Sequence, residues 1–193
     1  MYLKLLKNAA FYVFLAKIDR DLAAQVQANG CPFCEGHLHD AHYQRAGRGG
    51  FRNIPSWVYT RWSLCCGRAG CRRRTLPPSC LFLGRRWYWQ GVILVAITMH
   101  QQRRKGYCVE QLITHFGVSR ATVWRWLKYF REVFPQTSLW RSIRGLVGAS
   151  VRDDALPQSL LEHFESTMKD AEEALGSCLR FLATGVALGG QAP

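Results

Sequence analysis

Two compact cysteine clusters are the residues of this chain best suited to chemistry. Cys31 and Cys34 stand in "CPFC", and after thirty intervening residues "CCGRAGCRRR" brings Cys65, Cys66 and Cys71, followed at once by Arg72, Arg73 and Arg74. Four thiolates in a tetrahedron satisfy a divalent zinc ion, and two short turns from separate points in a chain supply them without a large core. The expected ligands are Cys31, Cys34, Cys66 and Cys71, a C-x2-C pair and a C-x4-C pair. Cys65 is the alternative to Cys66, because neighbours on a strand point to opposite faces. Gly67 and Gly70 are expected to take the tight backbone angles of a turn under a metal. His37, His39 and His42 are close enough in sequence to substitute as ligands, although a loop histidine is more often simply exposed. Ordinary buried thiols are the plain alternative, and they are the expectation for the isolated Cys80, Cys108 and Cys178. Eight cysteines used in this clustered way point to metal ligation over disulfides.

The pattern C-x2-C, thirty-one residues, C-x4-C and then a basic segment resembles the zinc ribbons of phage late-gene activators of the Ogr/Delta type. It is also similar to the N-terminal ribbons of bacterial insertion-sequence transposases, where a ribbon beginning C-P-x-C precedes a helix-turn-helix. The resemblance spans residues 31 to about 79, rests on four cysteines and carries no catalytic residue. Arg72, Arg73 and Arg74 would project from a metal-fixed turn at little ordering cost. Guanidinium groups bind phosphates bidentately, so these three are expected to clamp a phosphate backbone without reading bases.

The second motif is "YCVEQLITHFGVSRATVWRWLKYFRE", residues 107–132. Leu112 and Ile113 supply apolar contacts, Gly117 permits a turn, Val118 seals it, and Ser119 is placed to cap the next helix. Val123, Trp126, Leu127 and Phe130 fall on one face of that helix. In helix-turn-helix units the start of the second helix meets base edges. The expected DNA-contacting set is therefore Ser119, Arg120, Ala121, Thr122, Arg125 and Lys128. Arginine can read guanine, and the methyls of Ala121 and Thr122 can touch a thymine methyl. The segment resembles the "VSRxTVxRW" recognition helices of transposases and resolvases. Trp124 departs from the smaller residues expected in a groove, leaving it to stack on sugar or to pack on the preceding helix. A helical hairpin that serves only as core is the competing reading.

Charge supports a polyanionic partner. Residues 1–149 carry 23 basic and 6 acidic groups, whereas 150–193 carry 3 and 7. No acidic residue occurs between Asp40 and Glu110, an interval with ten arginines from Arg45 to Arg86 and then Arg103, Arg104 and Lys105. Such a field attracts nucleic acid or an anionic membrane surface. The apolar run 9–16 is too short for a signal peptide and lacks a clear cleavage site. "WYWQGVILVAITMHQQ", residues 87–102, is charge-free but short of the roughly 20 residues a spanning helix needs, so a buried core helix is expected and no membrane.

The elements that must hold these motifs follow from patterning. The expected fold is mainly α with a small β zinc ribbon, a three-helix helix-turn-helix unit and a C-terminal helix. The expected divisions are an N-terminal helix (1–30), the zinc ribbon (31–80), the helix-turn-helix domain (81–135), and a linker with the C-terminal helix (136–193). Within them, one helix over 1–29, a strand in "SWVYTRWSLCC" (56–66), and helices at about 87–101, 107–116, 119–131 and 157–183 are predicted. Leu161, Phe164, Met168, Ala171, Leu175, Cys178 and Leu182 repeat at spacings of three and four. That seam serves either a homodimer through residues 157–183 or packing onto the chain's own domain. Asp153 and Asp154 are adjacent and expected in a solvated loop, and the residues after Phe130 are too few for an RNase H-like catalytic domain.

These features together predict a cytoplasmic, nucleoid-associated protein that binds Zn2+ and double-stranded DNA, an accessory factor or regulator of a transposon or phage. A transposase or recombinase subunit, or a truncated transposase, is the second reading. A zinc-stabilised module for protein or RNA is the third.

Overall fold

The computed structural model describes residues 1–45, 47–49, 53–83, 88–102 and 106–185. Arg52, Arg85, Arg86, Trp87, the basic run 103–105 and the tail from 186 lie outside the described residues. The fold is mainly helical with small antiparallel sheets.

The N-terminal segment forms two helices in place of the one predicted: α1 (Tyr2–Leu6) and α2 (Ala9–Ala28). Asn8 separates them, because its extended backbone and its side chain, accepting from the Ala10 amide, start a new helix. The ribbon follows. β1 (Leu38–Asp40) and β2 (Tyr43–Gln44) precede a single 3-10 turn at Ser56–Tyr59, then come β3 (Thr60–Arg61), β4 (Leu64–Cys66) and β5 (Arg74–Thr75). The stretch 56–66, predicted as one strand, is thus a turn and two strands. β4 lies between β1 and β5, and β2 pairs separately with β3, all antiparallel. The break at Trp62–Ser63 lies against the His42 ring: its Nδ1 is 2.9 Å from the Ser63 carbonyl oxygen and 3.2 Å from the Ser63 amide nitrogen, and the ring meets Trp62 edge-on at 4.5 Å.

α3 (Gln90–Gln101) is buried on nearly every side from Gln90 to Met99. That explains its uniform hydrophobicity: α1, α4, α5 and the last two helices all pack on it. No helix among the described residues is long and apolar enough to cross a membrane. α4 (Val109–Phe116) and α5 (Arg120–Lys128) complete the helix-turn-helix, and α5 runs on through a π turn at Tyr129–Val133. After α6 (Ser138–Ile143), the predicted C-terminal helix is a hairpin of α7 (Gln158–Thr167) and α8 (Ala171–Thr184). The chain leaves the helical conformation at Met168, and Asp170 caps α8 by accepting from the Glu173 amide at 2.9 Å.

One hydrophobic core includes Leu6 and Leu15 from the N-terminal helices, Ile93 and Val123 from the helix-turn-helix, and Leu161, Leu175 and Leu182 from the hairpin. The three-four seam is therefore consumed inside the chain: Leu161, Phe164, Leu175, Cys178 and Leu182 are buried. This removes the apolar stripe on which the predicted homodimer through 157–183 depends. Trp89 is a hub of the core, stacked on Phe82 at 5.1 Å and touched by Tyr12 and Tyr59. Cys80 and Cys178 are fully buried as expected, but Cys108 is exposed. It occupies the N-cap of α4, where its own amide donates to the Gln111 side chain at 2.8 Å.

The ribbon has a separate and very small core, Cys31, Leu38, Leu64 and Cys66. A buried carboxylate joins the ribbon's exit to the helical body. Asp19 of α2 accepts from the Ser79 hydroxyl, and from the Cys80 amide at 2.6 Å. Burial pushes its pKa up to about 6, against the pull of those donors and of nearby Arg61. Arg61 is itself buried and donates to the Pro77 carbonyl at 2.7 Å, so "LPPS" is fastened from both sides.

Candidate metal centre and nucleic-acid interface

The fold brings the sulfurs of Cys31, Cys34, Cys66 and Cys71 within 4.8 Å of one another. Cys34 and Cys66 are 3.5 Å apart and Cys31 and Cys71 3.8 Å. A tetrahedral ion with bonds to sulfur of about 2.3 Å places its ligands about 3.8 Å apart, so the cluster has the size of an S4 zinc site. Four sulfurs without an oxygen donor also select a thiophilic ion over magnesium or calcium.

Both turns are built alike. In the first, Glu35 takes a left-handed φ of 58° one residue after Cys34, and its amide donates to the Cys31 carbonyl at 2.7 Å. In the second, Arg72 takes φ 48° one residue after Cys71, and its amide donates to the Arg68 carbonyl at 3.1 Å. The left-handed positions are thus not the predicted glycines. A Cβ at Gly67 would meet the His39 ring, which is exposed and free to turn aside, and Gly70 faces open space.

Backbone amides of Gly36, Arg68 and Arg73 point at the sulfurs of Cys34, Cys66 and Cys71 and favour their thiolates. Without a cation, the neighbouring sulfurs shift three of the thiols. Cys34, with the Gly36 amide as its main partner, is held down at about 7. Cys66 is pushed up to about 12 despite the Arg68 amide, by burial and the neighbouring sulfurs, and Cys71 also rises. Fewer than four negative charges fit in so small a volume without a cation.

Cys65 stays outside the cluster, its sulfur turned to the carbonyls of Arg72 at 3.6 Å and Cys66 at 3.9 Å. His37, His39 and His42 also stay out. His37 and His39 pack edge to face at 4.7 Å. Arg72, Arg73 and Arg74 are all exposed. Arg73 lies over the Phe33 ring at 4.5 Å and Arg74 over Tyr43 at 5.9 Å, so two of the three guanidinium groups are pre-positioned by an aromatic face.

In the helix-turn-helix, Gly117 ends α4 with φ 60°, a left-handed conformation in which a Cβ is strained. Ser119 starts α5, accepting from the Thr122 amide at 3.3 Å. Val123, Trp126 and Phe130 point into the core, and Trp126 meets Tyr88 edge-on at 5.0 Å. The opposite face exposes Arg120, Ala121, Trp124, Arg125 and Lys128.

Thr122 is not on that face. It is 3% exposed, and its hydroxyl lies 3.0 Å from Ser119 Oγ and 3.5 Å from the Tyr88 hydroxyl while accepting from Arg125 at 3.1 Å. Its predicted contact with DNA is thus corrected to a structural one. Arg120 is paired with Glu110 of α4, and Lys128 lies 3.9 Å from Glu132. Trp124, absent from the predicted DNA-contacting set, is 51% exposed. Asp153 is likewise not a free loop residue, since it accepts from Trp140 Nε1 at 3.2 Å and from Arg144 at 2.9 Å.

Residues 93–134 match the family model of a homeodomain-like domain. The match opens inside α3 and closes one residue past the π turn, so it covers most of α3 and all of α4 and α5 around the Gly117 turn. No curated protein and no solved structure matches the chain. A helix-turn-helix of the DNA-binding type is therefore present, with a four-cysteine cluster able to hold a metal ion outside it.

Proposed function

We propose that this chain binds double-stranded DNA through α5 and holds one structural Zn2+ between Cys31, Cys34, Cys66 and Cys71. The observation that carries the reading is the division of α5. One face is locked into the core by Val123, Trp126 and Phe130, and the other leaves Arg120, Ala121, Trp124, Arg125 and Lys128 exposed beyond the Gly117 turn. A helix held in this way enters a major groove as a rigid unit. The zinc would supply the stability that Leu38 and Leu64 alone cannot give the ribbon. Arg72, Arg73 and Arg74 on that ribbon are the phosphate-binding residues of the proposal, and the +13 charge of the chain supplies the long-range attraction.

The biological setting rests on the cysteine spacing and on "VSRATVWRW", which resemble ribbons and recognition helices of mobile elements. An accessory factor or regulator acting at the nucleoid fits both. The test uses the purified full chain: selection from a random duplex library should return a preferred sequence, bound with strong salt dependence. Failure to retain any duplex at low salt overturns the DNA-binding reading. Nicking or joining of supercoiled plasmid with magnesium would instead favour a transposase or recombinase subunit.

A further inference from the structure

We propose that Trp124, together with Ala121, makes α5 a reader of 5-methylpyrimidines, so that the preferred duplex carries thymine where these two residues meet the groove. This deepens the DNA-binding reading and rests on it.

The polar side chains of the exposed face are each already engaged within the chain. Arg120 is bound to Glu110, Arg125 donates to the Ala121 carbonyl at 3.2 Å and to Thr122 Oγ1 at 3.1 Å, and Lys128 faces Glu132. Thr122, whose methyl would suit a thymine, is drawn into the core. An arginine-guanine contact from this helix therefore competes with these contacts, the surface ion pair among them worth about 0–1 kcal/mol. The apolar groups require no such step. Ala121 is exposed, and Trp124 leaves about half of a large ring in water.

A single exposed hydrophobe on a surface means little. This one differs in its place. Ala121, Trp124 and Lys128 follow at spacings of three and four, so they share one crest of the helix, and Ala121 lies about 4.5 Å from Trp124 along the axis. The small alanine leaves space beside the indole for a base edge. The major-groove feature that apolar side chains recognise is the C5-methyl of thymine.

Replacing thymine by uracil removes that methyl and nothing else, which makes the test direct. The full chain is used to select a preferred duplex, and each thymine in it is then replaced singly by uracil. Wild-type affinity should fall about fourfold at one or two adjacent positions, the effect of one buried methyl, and 5-methylcytosine with its guanine partner should recover part of the loss where a cytosine alone does not. Trp124→Ala should lose that uracil sensitivity while still binding unrelated duplex at low salt, and Trp124→Phe should keep part of it. Because the ring is exposed, helix content by circular dichroism should not change. Uracil without effect at every position, or full uracil sensitivity retained in Trp124→Ala, overturns the proposal while leaving DNA binding intact. Absence of binding to any duplex overturns both.

Discussion

Exchanging Cys65 or Cys66 for serine tests the ribbon at its point of greatest ambiguity, since the two sulfurs belong to adjacent residues of one strand. Cys66 is fully buried, and its sulfur sits 3.5 Å from that of Cys34. Zinc binding by small structural sites is worth about 10–16 kcal/mol, so one thiolate in four carries about 3 kcal/mol. Cys66→Ser should therefore weaken metal affinity by about a hundredfold or more. The ribbon's remaining buried side chains, Leu38 and Leu64, contribute only about 1.5–3 kcal/mol each, too little to keep β1, β4 and β5 together. Cys65 touches only two carbonyls at 3.6 and 3.9 Å, and a serine hydroxyl can donate in the same direction. Its replacement should cost under about 0.5 kcal/mol. The assay is titration with cobalt, whose visible absorption reports a tetrahedral thiolate set, followed by competition with zinc. Four-sulfur cobalt spectra are expected for wild type and Cys65→Ser, with a weakened, three-sulfur spectrum for Cys66→Ser. The assignment is refuted by the reverse order, or by cobalt spectra unchanged in Cys66→Ser.

Three further outcomes are expected. Asp19 has a folded pKa of about 6 against an ordinary 3.8, so the folded chain prefers the protonated form; stability should fall as pH rises from about 4 to 6 and stay lower above that. Asp19→Asn should flatten this slope, worth about 3 kcal/mol, in urea melts across the range, and an unchanged slope would exclude Asp19 as its source. Replacing Arg72, Arg73 and Arg74 by alanine should weaken all duplexes alike and reduce the salt slope by about one for each phosphate no longer neutralised, read by salt titration; a changed sequence preference would speak against phosphate clamping. Gly117→Ala meets no neighbour within 4 Å, so its cost should be the left-handed backbone alone, about 1 kcal/mol or a 2–4 °C fall in Tm by calorimetry, with Gly117→Asn milder.

What is legible in the sequence is what is local. The Gly117 turn, the Ser119 cap and the Val123, Trp126, Phe130 face all lie within fourteen residues, and the helix boundaries follow from them. The cysteine cluster is legible because metal ligation imposes its own spacing. Thr122 is misplaced by sequence reasoning because its burial depends on Tyr88, far off in the chain, yet a signal is present: it stands four residues before Trp126, hence on the same side of the helix.

The C-terminal seam shows why periodicity alone does not settle architecture. A repeat of three and four states that residues share a face, and it states nothing about whether the axis continues. A long helix offering a stripe to a second chain and a hairpin whose arms both face one core produce the same pattern. The discriminating signal here is capping, not hydrophobicity. Asp170 followed by Glu173 has the form of a helix start, and the structure uses it so: the Asp170 side chain accepts from the Glu173 amide, while the Glu173 carboxylate accepts from the Lys169 amide at 3.1 Å. Turning the chain there brings α7 and α8 onto the same buried α3, so Leu161 and Leu175 find partners within one molecule. With that stripe used up, the large apolar ring left half exposed among the described residues of the helix-turn-helix is Trp124, the side chain on which the proposed recognition rests.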